Sequence, residues 1–155
     1  MNQNTIEQAY RDTYIFNDIA GNVNSEITGE SIAAQLDYIQ EEYLETVQAF
    51  DDKNTVEFLD GICDILVTAF GLAQKMSAAG YNVDEALKRV CQNNLSKYPK
   101  IGSALCYDPS FEVSINTKYN VCVLKDPEGK IRKFKDFKSV DLSDLAPKEF
   151  FKENV

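Results

Sequence analysis

The sequence contains no histidine and no tryptophan. The absence of histidine excludes every hydrolase mechanism in which an imidazole activates a serine or cysteine nucleophile. Any chemistry that this chain carries out must therefore use carboxylates, lysines, hydroxyls or a metal ion held by oxygen ligands.

Closely spaced cysteine pairs are also lacking. The four cysteines, Cys63, Cys91, Cys106 and Cys122, form no C-x-x-C pair, and no histidine is present to complete a zinc ligand set with them. We interpret them as reduced thiols of a cytoplasmic protein, with disulfides or a thiolate metal site as the alternative.

Long apolar runs are missing as well. No window of about 18 residues is free of charged side chains, so the sequence predicts no membrane span. The first residues, MNQNTIEQAYRD, contain no basic stretch followed by an apolar run, so no secretory signal is predicted.

The charge is strongly negative but unevenly distributed. The net charge of the chain is −9, with −11 on residues 1–95 and +2 on residues 96–155. The acidic N-terminal part is unlike a nucleic-acid-binding surface, so no nucleic-acid partner is predicted. This distribution suits a protein that gathers divalent cations in one part and contacts anions with the other.

Apolar residues recur at helical spacing through the first two thirds of the chain. Together with capping and breaking residues, this pattern predicts four helices, at about residues 4–20, 30–50, 55–77 and 84–95. Short links between the helices favour antiparallel neighbours, and hence a bundle.

The pattern changes after the fourth helix. Residues 97–114 hold two prolines and are predicted to be irregular. Alternating apolar residues from Tyr119 to Val123, a turn at DPEG and a returning strand through Ile131 and Phe134 then predict a β-hairpin.

The predicted fold is therefore all-α: a four-helix bundle with a small C-terminal β-hairpin appendage. Residues 1–98 form the helical part. Residues 99–155 add an irregular segment, the hairpin and a tail, and belong to the same domain.

The third predicted helix carries three acids in an apolar stretch, EFLDGICDILVTAFGLA. At ~100° per residue, Glu57, Asp60 and Asp64 fall within an arc of about 60°. A helix that is apolar around the rest of its circumference is expected to be buried, so this stripe is unlike an ordinary solvated face. Gly61, Thr68 and Gly71 lie in or beside the arc, and these small residues are predicted to leave room for a ligand.

The second predicted helix carries EEYLE at residues 41–45. Its glutamates are three and four residues apart and therefore neighbours on the helix surface. No lysine or arginine lies between Arg11 and Lys53 to neutralise them. Taken alone, EEYLE is also typical of an exposed acidic helix face.

The two acidic segments are joined by the short link DDKN, and an antiparallel helical hairpin would bring them face to face. Ionised carboxylates that lie this close and lose water need a positive partner. Hard oxygen donors on helices favour Mg²⁺, with Mn²⁺ as a possible substitute. The sequence thus predicts a magnesium site between the second and third helices.

These segments resemble a known family. EEYLE at 41–45 followed by EFLDGICD at 57–64 is similar to the E-E-x-x-E … E-x-x-D signature of the all-α nucleoside triphosphate pyrophosphohydrolases, the superfamily of MazG, the dimeric dUTPases and phosphoribosyl-ATP pyrophosphohydrolase. LDGICDILVTAFGLA, NNLSKY at 93–98 and the late GKIRKFKDF are similar to segments of short MazG-like proteins. The resemblance covers residues 30–98 well and residues 119–142 loosely.

The resemblance implies a helical homodimer or homotetramer that uses Mg²⁺ to cleave a (deoxy)nucleoside triphosphate to the monophosphate and pyrophosphate. Phosphoribosyl-ATP pyrophosphohydrolase activity is an alternative within the superfamily. A non-catalytic helical module that binds nucleotide or metal is an alternative from another class.

The resemblance also implies roles for individual acids. Glu42, Glu45, Glu57 and Asp60 would bind the metal, and Asp64 would be a further ligand or support one. Glu41 would assist a second ion or take a proton from the attacking water. The predicted catalytic set is Glu41, Glu42, Glu45, Glu57 and Asp60.

Four residues are predicted to contact the substrate. Asn94 and Lys97, at the end of the fourth helix, would reach phosphate or sugar; the alternative is a cation that favours the helix dipole. Lys130 and Lys133 would lie over the site; the alternative is a solvated hairpin. The expected partners are the nucleoside triphosphate and other copies of the chain, with no membrane.

Overall fold

The computed structural model describes residues 2–23 and 26–148. These residues form four helices and then two strands: α1 (Gln3–Ile19), α2 (Gly29–Asp51), α3 (Thr55–Ala78), α4 (Val83–Leu95), β1 (Glu112–Asn116) and β2 (Val121–Lys125). The predicted mostly helical fold with a β-hairpin is confirmed, and every helix end lies within one residue of its predicted position. No helix in the described part of the chain combines the length and the apolar character that crossing a membrane requires.

The described residues divide into two compact units, the first made of residues 2–23, 26–83 and 146–148 and the second of residues 84–145. Three helices, α1 to α3, belong to the first unit, whereas α4 belongs almost entirely to the second, with both strands. Helix α4 thus does not belong to the same compact unit as α1, α2 and α3. The predicted four-helix bundle is therefore not confirmed.

Local sequence explains where α2 and α3 begin. The Thr28 hydroxyl accepts from the backbone N–H of Ser31 while the Ser31 hydroxyl accepts from the backbone N–H of Thr28, which is a capping box. Asn54 caps α3 by accepting from the backbone N–H of Glu57. Between the two helices, Lys53 turns the chain with a φ of 56°.

The helices of the first unit meet through polar and small residues. Thr46 of α2 contacts Gly61 of α3, and Gln35 of α2 contacts Gly71 of α3, so the two helices run antiparallel. The Tyr10 ring of α1 packs edge-on against Phe70 of α3, with 5.5 Å between ring centroids.

The apolar sides of these helices are largely exposed. Among the described residues, the buried hydrophobic side chains of the first unit are Ile32 and Ala49. Phe50 is 66 % exposed, Leu59 63 % and Val56 72 %. The expectation that α3 would be buried on its apolar side is therefore wrong, because the polar stripe faces α2 instead.

The hairpin of the second unit differs from the predicted one. Strand β2 is confirmed, but it pairs antiparallel with β1, a segment predicted to be irregular. The connecting loop ends at Asn120 with a φ of 56°, and the Asn116 side chain accepts from the backbone N–H of Tyr119. The predicted return after DPEG is reduced to a single bridge between Lys125 and Ile131.

The second unit has its own hydrophobic core on one face of the hairpin. Its buried members are Cys122, Leu124 and Phe134. Partly buried apolar residues from the preceding segment and β1 pack around them: Leu105, Tyr107, Phe111 and Val113. At α4, Arg89 pairs with Asp144 at 2.7 Å, which holds the segment after the hairpin against this helix.

Candidate metal and nucleotide sites

A close approach between α2 and α3 defines one end of the first candidate site. A Cβ atom at Gly61 would overlap the Thr46 hydroxyl and lie 3.1 Å from the Thr46 Cβ. The Thr46 hydroxyl donates to the backbone carbonyl of Glu42 at 2.6 Å. Glycine is needed at position 61 because any larger residue would push the helices apart.

A second polar contact lies further along the same pair of helices. The Gln35 side-chain amide donates to the backbone carbonyl of Thr68 at 3.0 Å, and Gly71 lies against the same side chain. The Thr68 hydroxyl in turn donates to the backbone carbonyl of Asp64. The glycines were predicted to leave room for a ligand. That expectation is wrong, because Thr46 and Gln35 fill the space beside them.

The two half-buried acids lie between these two contacts. Glu42 is half-buried on α2, one turn before Thr46. Asp64 is half-buried on α3, about one turn after Gly61. Burial raises the pKa of Glu42, and the negative charges of Asp64, Glu45, Glu41 and Asp60 raise it further. We refer to these five side chains as the acidic cluster.

The acidic cluster contains five of the six acids predicted from the sequence. The sixth, Glu57, is exposed on the first turn of α3 and does not contribute to the raised pKa of Glu42. A carboxylate in the first turn stabilises a helix because it interacts with the positive end of the helix dipole. This interaction accounts for Glu57 without a bound ligand.

The chemistry of the acidic cluster suits a hard divalent cation. Its donors are all carboxylate oxygens, and α2 carries no lysine or arginine that would neutralise them. Within residues 2–23 and 26–148, no three histidine, cysteine, aspartate or glutamate side chains are already grouped as a metal site.

Three of the four predicted substrate residues lie together in the second unit. Asn94, Lys97 and Lys133 line a cleft of about 600 Å³, which we call the lysine cleft. The Lys97 ammonium donates to the Asn94 side-chain oxygen at 2.7 Å. Lys130 does not line this cleft; it lies in the turn after β2, where its backbone N–H donates to Asp126.

Sequence reasoning missed the polar residues that set the spacing of the acidic cluster. Thr46 and Gln35 are both buried on α2, eleven residues apart, and each faces a glycine of α3. Two glycines ten residues apart on one helix were the available signal for a close helix contact. That signal was interpreted as space for a ligand.

The acids and the lysines are thus two separate groups of side chains, one in each compact unit. The first can neutralise a cation and the second can neutralise an anion. Comparison with protein-family models, with curated proteins and with solved structures found no match for this chain.

Proposed function

We propose that the protein is a Mg²⁺-dependent nucleotide pyrophosphohydrolase that cleaves (deoxy)nucleoside triphosphates to the monophosphate and pyrophosphate. The observation that carries the proposal is the position of Glu42, half-buried between two helices in the field of four other carboxylates. Such an arrangement is unfavourable by itself and becomes favourable when a dication binds. The resemblance of the two acidic motifs to the all-α pyrophosphohydrolases supports the same function.

Each acid has a part in this proposal. Glu42, Glu45, Asp60 and Asp64 would hold Mg²⁺. The resemblance also implies Glu57 as a ligand, but its exposed position outside the acidic cluster does not support that role. When bound there, the ion would offset the charge of the triphosphate and would make a water molecule more acidic. Glu41 accepts the proton of the attacking water.

The reaction balances with these residues. The water oxygen forms a bond to the α-phosphorus, and the bond from that phosphorus to the bridging oxygen breaks. Pyrophosphate leaves with the electron pair of that bond. In the second unit, Lys97 and Lys133 would supply positive charge for the phosphate oxygens of a nucleotide bound there, and Asn94 orients Lys97 through the hydrogen bond between them.

The exposed apolar helix faces support the homo-oligomer that the resemblance implies. Large side chains on all three helices of the first unit are more than half exposed, including Phe16, Phe50 and Leu59. Several large apolar side chains exposed on one unit are typical of a protein–protein interface. A second copy of the chain would cover it and would complete a helical bundle from two chains. A cytoplasmic location is part of the same proposal.

A substrate panel tests the proposed activity. Pyrophosphate release is measured with Mg²⁺ for the ribo- and deoxyribonucleoside triphosphates and for phosphoribosyl-ATP. We expect Glu42→Gln and Asp64→Asn to lower kcat by at least about a hundredfold, because each removes a carboxylate from the cluster. Asp37→Asn is the matched control, since Asp37 is an exposed acid of α2 outside the cluster.

The outcomes separate the alternatives. Turnover of phosphoribosyl-ATP alone would assign the narrower activity within the superfamily. Binding of Mg²⁺ and nucleotide without turnover of any substrate would replace the enzyme by a binding module. Equal turnover by wild type and Glu42→Gln would remove the acidic cluster from the reaction.

A further inference from the structure

A second, larger cleft adjoins the lysine cleft within the second unit. It has a volume of about 800 Å³ and lies between the end of α4 and the face of the hairpin that is turned away from the hydrophobic core. The two clefts share Leu95, Tyr98 and Ile131. We call the larger one the hairpin cleft. Its volume lies in the range of small-molecule sites.

The floor and walls of the hairpin cleft are apolar and aromatic. Val121 and Val123 of β2 form part of the lining, with Leu95 and Ile131 beside them. Tyr98 and Tyr119 add two phenol rings, and Tyr119 is 66 % exposed. Tyr98 is half-buried. An exposed tyrosine ring beside apolar side chains, here Tyr119, offers a surface on which a planar base can stack.

The charge of both clefts is positive. Lys118 and Lys125 line the hairpin cleft, and Lys97 and Lys133 line the lysine cleft. Among the described residues, no carboxylate lines either cleft. In the described part of the chain, none of these four lysines lies within ion-pair distance of a carboxylate, whereas Arg89 and Arg132 are both paired.

Charge and shape together indicate one class of ligand. Lys118 lies 5.1 Å from the centre of the Tyr119 ring, so positive charge and a stacking surface occur at the same place. An anion without an apolar part would make no contact with the tyrosines and valines of the lining. An apolar ligand without charge would leave the lysines unpaired.

We propose that the hairpin cleft binds the base and sugar of a nucleotide whose phosphates extend toward Lys97 and Lys133 in the lysine cleft. The inference rests on the proposed function in that it takes the bound nucleotide to be the substrate. It adds a substrate subsite on the hairpin, made by Tyr119, Lys118 and Lys125.

Binding without metal tests this subsite separately from hydrolysis. Affinities of the full chain for the eight common (deoxy)nucleoside triphosphates, for the corresponding nucleosides and for tripolyphosphate are measured by calorimetry in EDTA. We expect at least one nucleotide to bind at least tenfold more tightly than tripolyphosphate and than its nucleoside. Tyr119→Ala should weaken nucleotide binding at least tenfold and leave tripolyphosphate binding unchanged.

Lysine variants provide the second half of the test. Lys118→Ala combined with Lys125→Ala should weaken nucleotide binding at least tenfold. Lys138→Ala should leave it unchanged, because Lys138 is an exposed lysine of the same unit that lines neither cleft. All these side chains are exposed or at the cleft surface, so the variants should fold, which circular dichroism checks.

Several results would overturn the subsite. They are the absence of nucleotide binding in EDTA, equal binding of tripolyphosphate and nucleotide, and tight binding of a single-stranded oligonucleotide in place of mononucleotides. A change in oligomeric state without a change in nucleotide affinity in Tyr119→Ala would assign the cleft to contact between copies. If the wild-type protein binds nucleotide in the cleft but hydrolyses none, the proposed function is contradicted and the subsite is not.

Discussion

At the scale of single residues, Glu42 is the carboxylate that the surrounding acids affect most. Its pKa is raised first by burial and then by the charges of four neighbours, led by Asp64. The ionised side chain therefore opposes folding at neutral pH when no cation is bound.

Glu42→Gln should stabilise the metal-free protein. Because it removes repulsion with several carboxylates, we expect the free energy of unfolding in EDTA to rise by a few tenths to about 1 kcal/mol. Urea denaturation at neutral pH measures the change, with Asp37→Asn as the control that should show little effect. A lower stability of Glu42→Gln in EDTA would mean that Glu42 makes a favourable contact in the metal-free protein.

Asp126 shows the opposite electrostatic behaviour. Burial by itself would raise the pKa of Asp126, but the backbone N–H groups of Lys130 and Glu128 and the Arg132 guanidinium outweigh it and lower the pKa. The Arg132 side chain reaches this carboxylate at 2.6 Å. These contacts organise the DPEG turn behind β2.

The lowered pKa of Asp126 predicts how stability depends on pH. A depressed folded-state pKa gives stability that is present above the unfolded pKa of about 3.9 and is lost as pH falls through the folded value. Asp126→Asn should lower the urea midpoint at neutral pH and flatten its fall below about pH 4. Parallel curves for wild type and variant across that range would show that Asp126 does not titrate as described.

At the scale of helices and strands, the α2–α3 pair depends on Gly61. Gly61→Ala places a methyl group against the Thr46 hydroxyl and close to the Thr46 backbone, with 3.2 Å to its Cα. We expect the variant to lower the free energy of unfolding by about 1–3 kcal/mol, although a change from glycine to alanine usually stabilises a helix.

A double variant checks the cause of that cost. Thr46→Ala removes the hydroxyl that the new methyl group would overlap, so Gly61→Ala should cost less in the Thr46→Ala background than in wild type. Equal costs in the two backgrounds, measured by chemical denaturation, would place the strain elsewhere.

The extents of the helices could be predicted from sequence, and their contacts could not. Caps such as Asn54 and apolar spacing are local signals, so each helix end was predicted to within one residue. Which sides meet depends on a close approach between chain segments far apart in sequence, here Thr46 with Gly61. The same limit applies to the hairpin, where β1 was missed because its pairing with β2 depends on the loop that Asn116 and Asn120 build.

At the scale of the whole molecule, the first unit exposes much of its apolar surface while the second buries a compact core. The acids of the candidate site could be predicted from their spacing, because helix periodicity places them on one face. Their partial burial could not, because it follows from how closely α2 and α3 approach.

The apolar faces predict assembly in solution. We expect the wild-type chain to form a dimer or larger homo-oligomer by analytical ultracentrifugation, since the exposed faces of α2 and α3 need cover. Leu59→Lys combined with Val56→Lys should shift the population toward monomer. Leu87→Lys, which changes an exposed residue of α4, should leave assembly unchanged. A wild-type monomer at all concentrations tested would contradict this prediction.

Magnesium binding to the acidic cluster is the central claim, and calorimetric titration of the metal-free protein with Mg²⁺ tests it most directly. We predict saturable binding in the millimolar range or tighter for wild type and Asp37→Asn, and its loss in Glu42→Gln and Asp64→Asn. No saturable binding by wild type at millimolar Mg²⁺, or binding that is unchanged in Glu42→Gln, would contradict the claim.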